Sequence, residues 1–499
     1  MATELELKLI VSGDAKSQIE NRFLPSLDAK VTRSEYTLFN QYYDTPDNLL
    51  RRHDIGLRIR GRDGKFEQTI KTAGKVVAGL HSRPEYNVDI REPQPDLSLF
   101  DREIFPESLS VDDLQKRIQP LFTTDFTRSE FLLDFGDKGI IELVCDLGTI
   151  RVDKQSVPIS EVELELKQGD VSLIFELAER LSDVTNARVG NMSKAARGYM
   201  LAKNRSISSK AMDAFLSVDP HTTCEEGFIR AAEYALAYWQ HHESCYLEHR
   251  KVRDLAHMVM GMQLLLQTLT LLLPLLQCRT MLDLHKALML RVTDWFWVEQ
   301  LMSIKELRSK KGPFRKKLSN NPELLSYLRG ISEGIIQNYA PDKRIESRDN
   351  VALQLKIART LYDKPWRQES SGYDSSLIEH AKGWLSQGWH NILQNMPRNK
   401  RLNAHEYIAQ QSMLRQTLFT GFILGNLFPE RRDQFRAPWL DILSGIEELN
   451  TLFSLKAQLN TADIQGKDEL MLWCDEKVAS LLNVMEQSRA VALGLDAYW

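Results

Sequence analysis

Cysteine is scarce in this chain, and so are the other marks of a cross-linked scaffold. The 499 residues include five scattered cysteines and no CxxC pair, which argues against a disulfide framework and a structural zinc site. Acidic and basic residues nearly balance, 68 against 64, so no global charge excess points to nucleic acid or to a membrane surface. No GxxxxGK[ST] loop occurs, which argues against a P-loop mechanism.

Long apolar runs are also rare. Residues 258–277 form one run of about the length of a membrane span. It contains Gln263 and Gln267 and is broken at Pro274, so we predict a buried helix. The N-terminus starts a strand pattern at once, without a basic-then-apolar signal segment. These features predict a cytoplasmic protein that binds neither membranes nor nucleic acid.

The length of the chain predicts more than one domain. Residues 1–203 are rich in short alternating runs, whereas residues 213–499 show almost wholly helical periodicity. The polar, Ser-rich segment 204–212 lies where the pattern changes. We therefore predict an α+β protein with an antiparallel β domain (1–203), a linker (204–212) and an all-α domain (213–499).

Eight segments of the first domain alternate polar and apolar residues, as half-buried strands do. They are 4–8, 37–45, 56–60, 66–71, 83–88, 126–131, 141–146 and 161–167. Helical spacing recurs near 14–27, 111–119 and 170–184. Ser193 is placed to cap a further helix over 193–202.

The polar face of nearly every strand is ionic, and the two signs are segregated. Acidic strands open and close the domain, and basic strands lie between them. For any single strand, a solvated surface is the simpler interpretation. A sheet closed into a barrel with its charged face inward accounts for the whole set. Its acidic wall suits magnesium or manganese, and its basic wall suits a polyanion such as a phosphate chain.

The order of the motifs resembles a known family. The stretches ELELK, YYDTPDNLLRRHDIGLRIR, QTIK, RPEYNV, DFTRSEF, CDLGTIRV, EVELELKQGD and SKAARGY together cover essentially all of 1–203. This set resembles the CYTH superfamily, the triphosphate tunnel metalloenzymes, and is most similar to bacterial inorganic triphosphatases in which a CYTH domain precedes a helical CHAD domain. The resemblance implies an eight-stranded antiparallel tunnel followed by a CHAD-like helical bundle.

The resemblance also implies roles for individual residues. The implied metal ligands are Glu4, Glu6, Asp146, Glu161, Glu163 and Glu165, and which two of the last three bind stays open. The implied triphosphate ligands are Lys8, Arg58, Arg60, Lys71, Arg83, Arg128 and Lys194. The implied catalytic residues are Glu4, Glu6, Lys8, Asp146 and Glu163, and the implied cofactor is Mg²⁺ or Mn²⁺. Glu85 is expected to orient Arg83 rather than to bind metal.

The implied reaction is metal-dependent hydrolysis of inorganic triphosphate to pyrophosphate and phosphate. Three alternatives stay open: hydrolysis of organic triphosphates such as thiamine triphosphate or nucleotides, class IV adenylate cyclase activity, and non-enzymatic polyphosphate binding. Aromatic positions at the tunnel mouth would favour organic triphosphates, whereas a mouth lined by charge would favour the inorganic ion. In the helical half, the basic segments 247–266 and 399–418 are candidate polyphosphate contacts, although they depart from the usual CHAD pattern at positions such as Met258 and Gln411.

Overall fold

The computed structural model describes residues 2–462 and 464–499, with side chains from residue 4 onward. The chain divides into two compact units. The first runs to Ser208 and also includes Asp342–Tyr362; the second comprises Ser209–Pro341 and Asp363–Trp499. The predicted division into 1–203, 204–212 and 213–499 did not include this return to the first unit. Within the first unit, an ion pair between Arg348 and Asp183 joins the segment Asp342–Tyr362 to the earlier part of the chain.

Ten strands of the first unit form one antiparallel sheet. They are β1 (Ala2–Ser12), β2 (Lys30–Asp44), β3 (Gly56–Arg62), β4 (Lys65–Lys71), β5 (Lys75–Val77), β6 (Leu80–Ile90), β7 (Gln119–Asp134), β8 (Gly139–Val152), β9 (Gln155–Gly169) and β10 (Asn186–Val189). Eight strands close into a barrel in the order β1-β9-β8-β7-β2-β3-β4-β6, and β6 pairs back onto β1. The eight predicted strands are these eight. The short strands β5 and β10, which pair with β6 and β1 outside the ring, were not predicted.

Five helices of the first unit precede the second unit: α1 (Ala15–Gln18), α2 (Leu49–Arg52), α3 (Val111–Arg117), α4 (Ser172–Ser182) and α5 (Lys194–Ala202). Because successive side chains of a strand alternate between faces, a barrel with an ionic interior presents its apolar residues outward. Leu7 and Leu9 of β1 are fully buried on that outer face, where α4 packs on β1 and β9. Leu57 of β3 lies in a second apolar layer with Phe100.

Helix α5 packs against one end of the barrel. It begins as predicted at Ser193, whose Oγ accepts a hydrogen bond from the N–H of Ala196. Gly198 lies directly against the ring of Phe122, where a Cβ atom would come within 2.1 Å of a ring carbon. Tyr199 joins Phe122 in an apolar cluster at this end. The absence of a side chain at Gly198 therefore lets α5 approach the strands.

The remaining helices are α6 (Cys224–His249), α7 (Val252–Leu272), α8 (Arg279–Asp294), α9 (Trp297–Leu307), α10 (Arg315–Leu318), α11 (Pro322–Tyr339), α12 (Pro341–Ile345), α13 (Arg348–Asp363), α14 (Trp366–Glu369), α15 (Leu377–Asn395), α16 (Ala404–Ala409), α17 (Gln411–Leu424), α18 (Arg432–Thr461) and α19 (Lys467–Gly494). Within the described residues, α7 is long and apolar enough to span a membrane. It ends before Pro274, and many of its apolar side chains, Met258 and Leu265 among them, are buried.

Neither basic segment of the helical unit is a single helix. The first breaks where Arg250 takes a left-handed backbone conformation (φ 55°), between α6 and α7. The second breaks at Gln410, between α16 and α17. Two of its basic side chains are occupied in ion pairs: Lys400 binds Glu406, and Arg415 binds Glu299 and Glu447.

Candidate active site

The inner face of the barrel lines a cavity of about 590 Å³. The predicted site residues that line it are Glu4, Glu6, Lys8, Arg58, Arg60, Lys71, Arg83, Arg128, Glu163, Glu165 and Lys194. The other two, Asp146 and Glu161, are completely buried beside Lys8 and Lys194. The structure therefore brings all thirteen predicted residues together.

The cavity is more exposed at the end away from α5, and its lining also includes the exposed Asp54. Along β9 the exposed fraction of the side chain rises from 0% at Glu161 to 10% at Glu163, 22% at Glu165 and 38% at Lys167. At the α5 end, Ser193, Lys194 and Tyr199 line the wall. The three glutamates of β9 share a face, as predicted, but they lie at different depths.

Three acidic side chains at the α5 end form a dense cluster. Asp146, Glu161 and Glu163 each offer a carboxylate oxygen, and these oxygens lie within 4.8 Å of one another. Strand register explains the convergence, because Asp146 of β8 is paired directly with Glu161 of β9. Oxygens at this spacing could share one metal ion.

Four cations already contact this cluster: Lys8, Lys194, Arg128 and, at 3.6 Å from Glu161, Arg197. Lys8 donates to Glu163 at 2.6 Å and to Glu161 at 3.0 Å. Lys194 lies 2.8 Å from Asp146 and 3.1 Å from Glu163. Arg128 donates two hydrogen bonds to Asp146, at 2.8 and 2.7 Å. Because buried charges are tolerated when each has a partner, this cluster is a balanced ion network.

The network lowers the pKa of two of its carboxylates, Asp146 and Glu163. Burial opposes ionisation of Asp146, but Lys194 and Arg128 outweigh it and hold the pKa of Asp146 below its usual value. Burial likewise opposes ionisation of Glu163, and Lys194 and Lys8 hold its pKa well below the ordinary range.

The two glutamates of β1 are in a different situation. Within the described residues Glu6 has no hydrogen bond or ion pair, and its pKa is raised by burial and then by the nearby Glu163. Glu4 accepts a hydrogen bond from Lys71, yet burial raises its pKa to about 8. Carboxylates that are desolvated and poorly paired gain most from a divalent cation. Glu4 and Glu6 therefore fit a metal better than the paired carboxylates Asp146, Glu161 and Glu163 do.

The basic wall has an internal acidic partner that corrects one prediction. Glu85 binds Lys71 at 2.8 Å and Arg58 at 3.3 Å, and no bond to Arg83 is found among the described residues. Glu85 was therefore wrongly expected to orient Arg83. Burial opposes ionisation of Glu85, but Lys71 and Arg58 lower its pKa strongly. The side chains of β3, β4 and β6 meet here because these strands are neighbours in the ring.

Two arginines of this wall lack a carboxylate partner within the described residues. Arg60 donates through Nε to the amide oxygen of Asn40 at 3.0 Å. The Nε of Arg83 is buried and has no hydrogen-bond partner. A buried guanidinium without a counter-charge is costly, and an anionic ligand would satisfy it.

Comparison with known proteins agrees with this geometry. Residues 2–199 match the CYTH domain model. These residues form a CYTH domain. An inorganic triphosphatase of Haemophilus influenzae is 39% identical over 212 residues, which are 42% of this chain and 57% of that protein. The chain therefore matches somewhat more than half the length of that curated relative.

Two solved structures show weaker likenesses. A Hippeastrum protein described as a candidate adenylyl cyclase with dominant triphosphatase activity is 17% identical, with a TM-score of 0.31, over 41% of this chain and 97% of its own. A CHAD domain from Ricinus communis is 14% identical, with a TM-score of 0.46, over 58% of this chain and 99% of its own. At such TM-scores neither likeness supports a functional conclusion.

Several cavity residues of the CYTH domain were not predicted as site residues. They are Asn40, Tyr42, Arg51, Asp54, Glu67, Thr69, His81, Asn87, Phe126, Glu142 and Tyr199. Strand parity could have found some of them, since Glu142 shares a face with Asp146 and Thr69 with Lys71. His81 lies before the predicted start of its strand, and burial lowers its pKa to about 4. Tyr199 enters the cavity through the packing of α5, which has no signal in strand periodicity.

The end of the CYTH cavity away from α5 is lined by charge. Glu67, Glu142, Glu165 and Lys167 lie there. The cavity-lining aromatic residues Tyr42, Phe126 and Tyr199 belong instead to the apolar cluster beside α5. Charged residues therefore line the end of the cavity away from α5, and the aromatic residues lie at the end beside α5.

Proposed function

We propose that the CYTH domain hydrolyses inorganic triphosphate to pyrophosphate and phosphate with Mg²⁺ or Mn²⁺. One observation carries the proposal: a single cavity holds unpaired cations, Arg60 and Arg83, together with an unpaired carboxylate, Glu6. An anion alone would leave Glu6 uncompensated, and a metal alone would leave the arginines uncompensated. A metal-complexed polyanion satisfies both.

The charge of the lining supports a role for the cation. Nine Lys or Arg and eight Asp or Glu side chains line the cavity, so net charge by itself attracts a polyanion only weakly. Segregation of the signs onto separate walls, with a divalent cation on the acidic side, would make binding favourable. The named activity of the Haemophilus relative supports the choice of inorganic triphosphate.

In this proposal the residues divide the work. Arg58, Arg60 and Arg83 bind the phosphate oxygens and align the triphosphate for in-line attack. Glu4 and Glu6 would hold the metal. A divalent cation, when bound, supplies charge neutralisation and a lower pKa for water. Asp146 and Glu161 orient the ammonium groups of Lys8 and Lys194 toward the substrate.

The other predicted activities are separate proposals. They are hydrolysis of organic triphosphates, cyclase activity and polyphosphate binding at the helical unit. Our proposal also places the protein in the cytoplasm, a setting that suits its five free, buried cysteines.

The test is phosphate release from inorganic triphosphate, thiamine triphosphate, ATP and long-chain polyphosphate, each with magnesium, manganese or a chelator. We expect metal-dependent release from inorganic triphosphate alone. Glu6→Gln should abolish it while leaving the circular dichroism spectrum unchanged, because it removes ligand charge at nearly constant volume. No release from any substrate, with tight polyphosphate binding, would make the cavity a receptor instead.

A further inference from the structure

Arg60 is held by a neutral amide where a carboxylate would be the usual partner. Its Nε donates to Asn40 Oδ1 at 3.0 Å, and Asn40 in turn donates to Thr124 Oγ1 at 2.9 Å. Asn40 is 1% exposed and Thr124 is fully buried. Thr124 therefore fixes the Asn40 amide, and the Asn40 amide in turn sets the orientation of the Arg60 guanidinium.

The charges around Arg60 do not neutralise it. Its cross-strand neighbour Glu67 makes no ion pair with it among the described residues. Burial, followed by the like charges of Arg58 and Arg128, lowers the pKa of Arg60 to about 10. Arg128 and Arg58, by contrast, each bind a carboxylate. Arg60 is thus oriented by its neighbours but is not paired by them.

We propose that Asn40 is a positioning residue for triphosphate binding: it aims Arg60 into the cavity and, because it is neutral, leaves the positive charge available to a phosphate group. This inference rests on the proposed function. An aspartate in the same place would hold the same geometry, since the Thr124 hydroxyl can donate as well as accept. It would also pair with Arg60 and compete with the substrate.

The neutral partner therefore carries a cost in stability that binding of substrate offsets. Replacing it with a carboxylate should stabilise the metal-free, substrate-free protein and weaken its affinity for triphosphate. A purely structural role for Asn40 predicts a loss of stability from any substitution. Asn40→Asp therefore raises the stability of the free protein and lowers its affinity for triphosphate only if the inference is correct.

The experiment compares three variants of the full chain. Asn40→Asp adds a carboxylate beside Arg60, and Asn40→Ala removes the hydrogen-bond acceptor. Asn87→Asp is the matched control, because Asn87 also lines the cavity and also bonds a threonine hydroxyl, that of Thr69 at 2.8 Å. For each variant we would measure kcat and KM for inorganic triphosphate with magnesium, and the melting temperature of the chelator-treated protein.

We expect Asn40→Asp to raise KM about tenfold or more, the loss of one charge-assisted contact, with kcat less affected and the melting temperature raised. Asn40→Ala should raise KM and lower the melting temperature. An equal rise of KM in Asn87→Asp, an unchanged KM in Asn40→Asp, or a lower melting temperature in Asn40→Asp would each overturn the inference. If the wild-type protein neither hydrolyses nor binds inorganic triphosphate, the proposed function itself is wrong, and the melting temperatures still decide whether Arg60 is unpaired.

Discussion

Removing the charge of Lys194 should destabilise the CYTH domain strongly, and more so at neutral than at acid pH. The Lys194 side chain is 9% exposed, and its ammonium group contacts three carboxylates, those of Asp146, Glu161 and Glu163. Lys194→Met keeps most of the side-chain volume and leaves the three carboxylates to Lys8, Arg128 and the more distant Arg197. Breaking a buried ion pair by removing one partner costs about 3–5 kcal/mol, and we expect a loss of that size at pH 8.

The pH dependence gives the sharper test. In the wild-type protein the pKa values of Asp146 and Glu163 are lowered, so their contribution to stability is present above the pKa values of the unfolded chain. That contribution is lost as the pH falls through the folded pKa values. Without Lys194, one carboxylate of the cluster should take up a proton more readily. The difference in stability between wild type and variant should therefore shrink from pH 8 to pH 5.

The assay has to follow the first unit specifically. The nine tryptophans lie at positions 239 and above, outside 342–362, so tryptophan fluorescence reports the second unit. Urea unfolding of chelator-treated protein should be followed both by far-ultraviolet circular dichroism, which reports both units, and by tryptophan fluorescence; the transition that fluorescence does not show belongs to the first unit. Lys16→Met is the matched control, because the Lys16–Glu35 pair is exposed and such pairs contribute about 0–1 kcal/mol. Equal losses in the two variants, or a loss for Lys194→Met that is unchanged at pH 5, would refute the description of the cluster as a balanced ion network.

Three further predictions concern the packing, the metal and the division of the chain. Gly198→Ala should lower the free energy of unfolding by about 1–3 kcal/mol in thermal unfolding and lower activity, because the new Cβ would meet Phe122. The control Gly330→Ala, with open space around it, should be neutral or stabilising by up to about 1 kcal/mol. Equal effects of the two substitutions would contradict the close packing of α5 on Phe122. The apparent affinity for magnesium, measured by calorimetry, should rise with pH up to about 8, because the metal must displace the proton of Glu4; a flat profile from pH 6 to 8 would exclude Glu4 as a ligand. A chain ending at Ser208 should have the proposed triphosphatase activity of the full chain, since the cavity-lining residues lie within 4–199; loss of activity in a folded truncation would mean that later residues complete the site.

Much of the first unit could be predicted from periodicity. All eight ring strands were found, although the observed strands extend further, for example β7 over Gln119–Asp134 against the predicted 126–131. Length explains the misses, because β5 and β10 have three and four residues, too few to show a period. The cap at Ser193 was predicted because capping depends on a side chain and the backbone three residues on.

The pairing of charges could not be predicted in the same way. Glu85 shares a strand with Arg83 but binds Lys71 and Arg58. For each carboxylate, cations on neighbouring strands compete with cations on its own strand, and the pattern within one strand does not show which of them binds. Glu6 and Glu163 have the same chemistry and the same orientation toward the cavity. Their pKa values shift in opposite directions, because Lys8 and Lys194 reach Glu163, whereas Glu6 has no ion pair within the described residues.

The sequence alone determined which side chains share a face, since the period of a strand is two residues wherever the strand lies. It also indicated a CYTH domain in the first part of the chain, through the order of its motifs along residues 1–203, where the family model matches residues 2–199. Only the tertiary structure decided which carboxylates are neutralised and which cations stay unpaired. Closure of β6 onto β1 and the docking of α5 bring together groups as far apart in sequence as Lys8 and Lys194, and electrostatic energies depend on those distances and on burial, which no local pattern records.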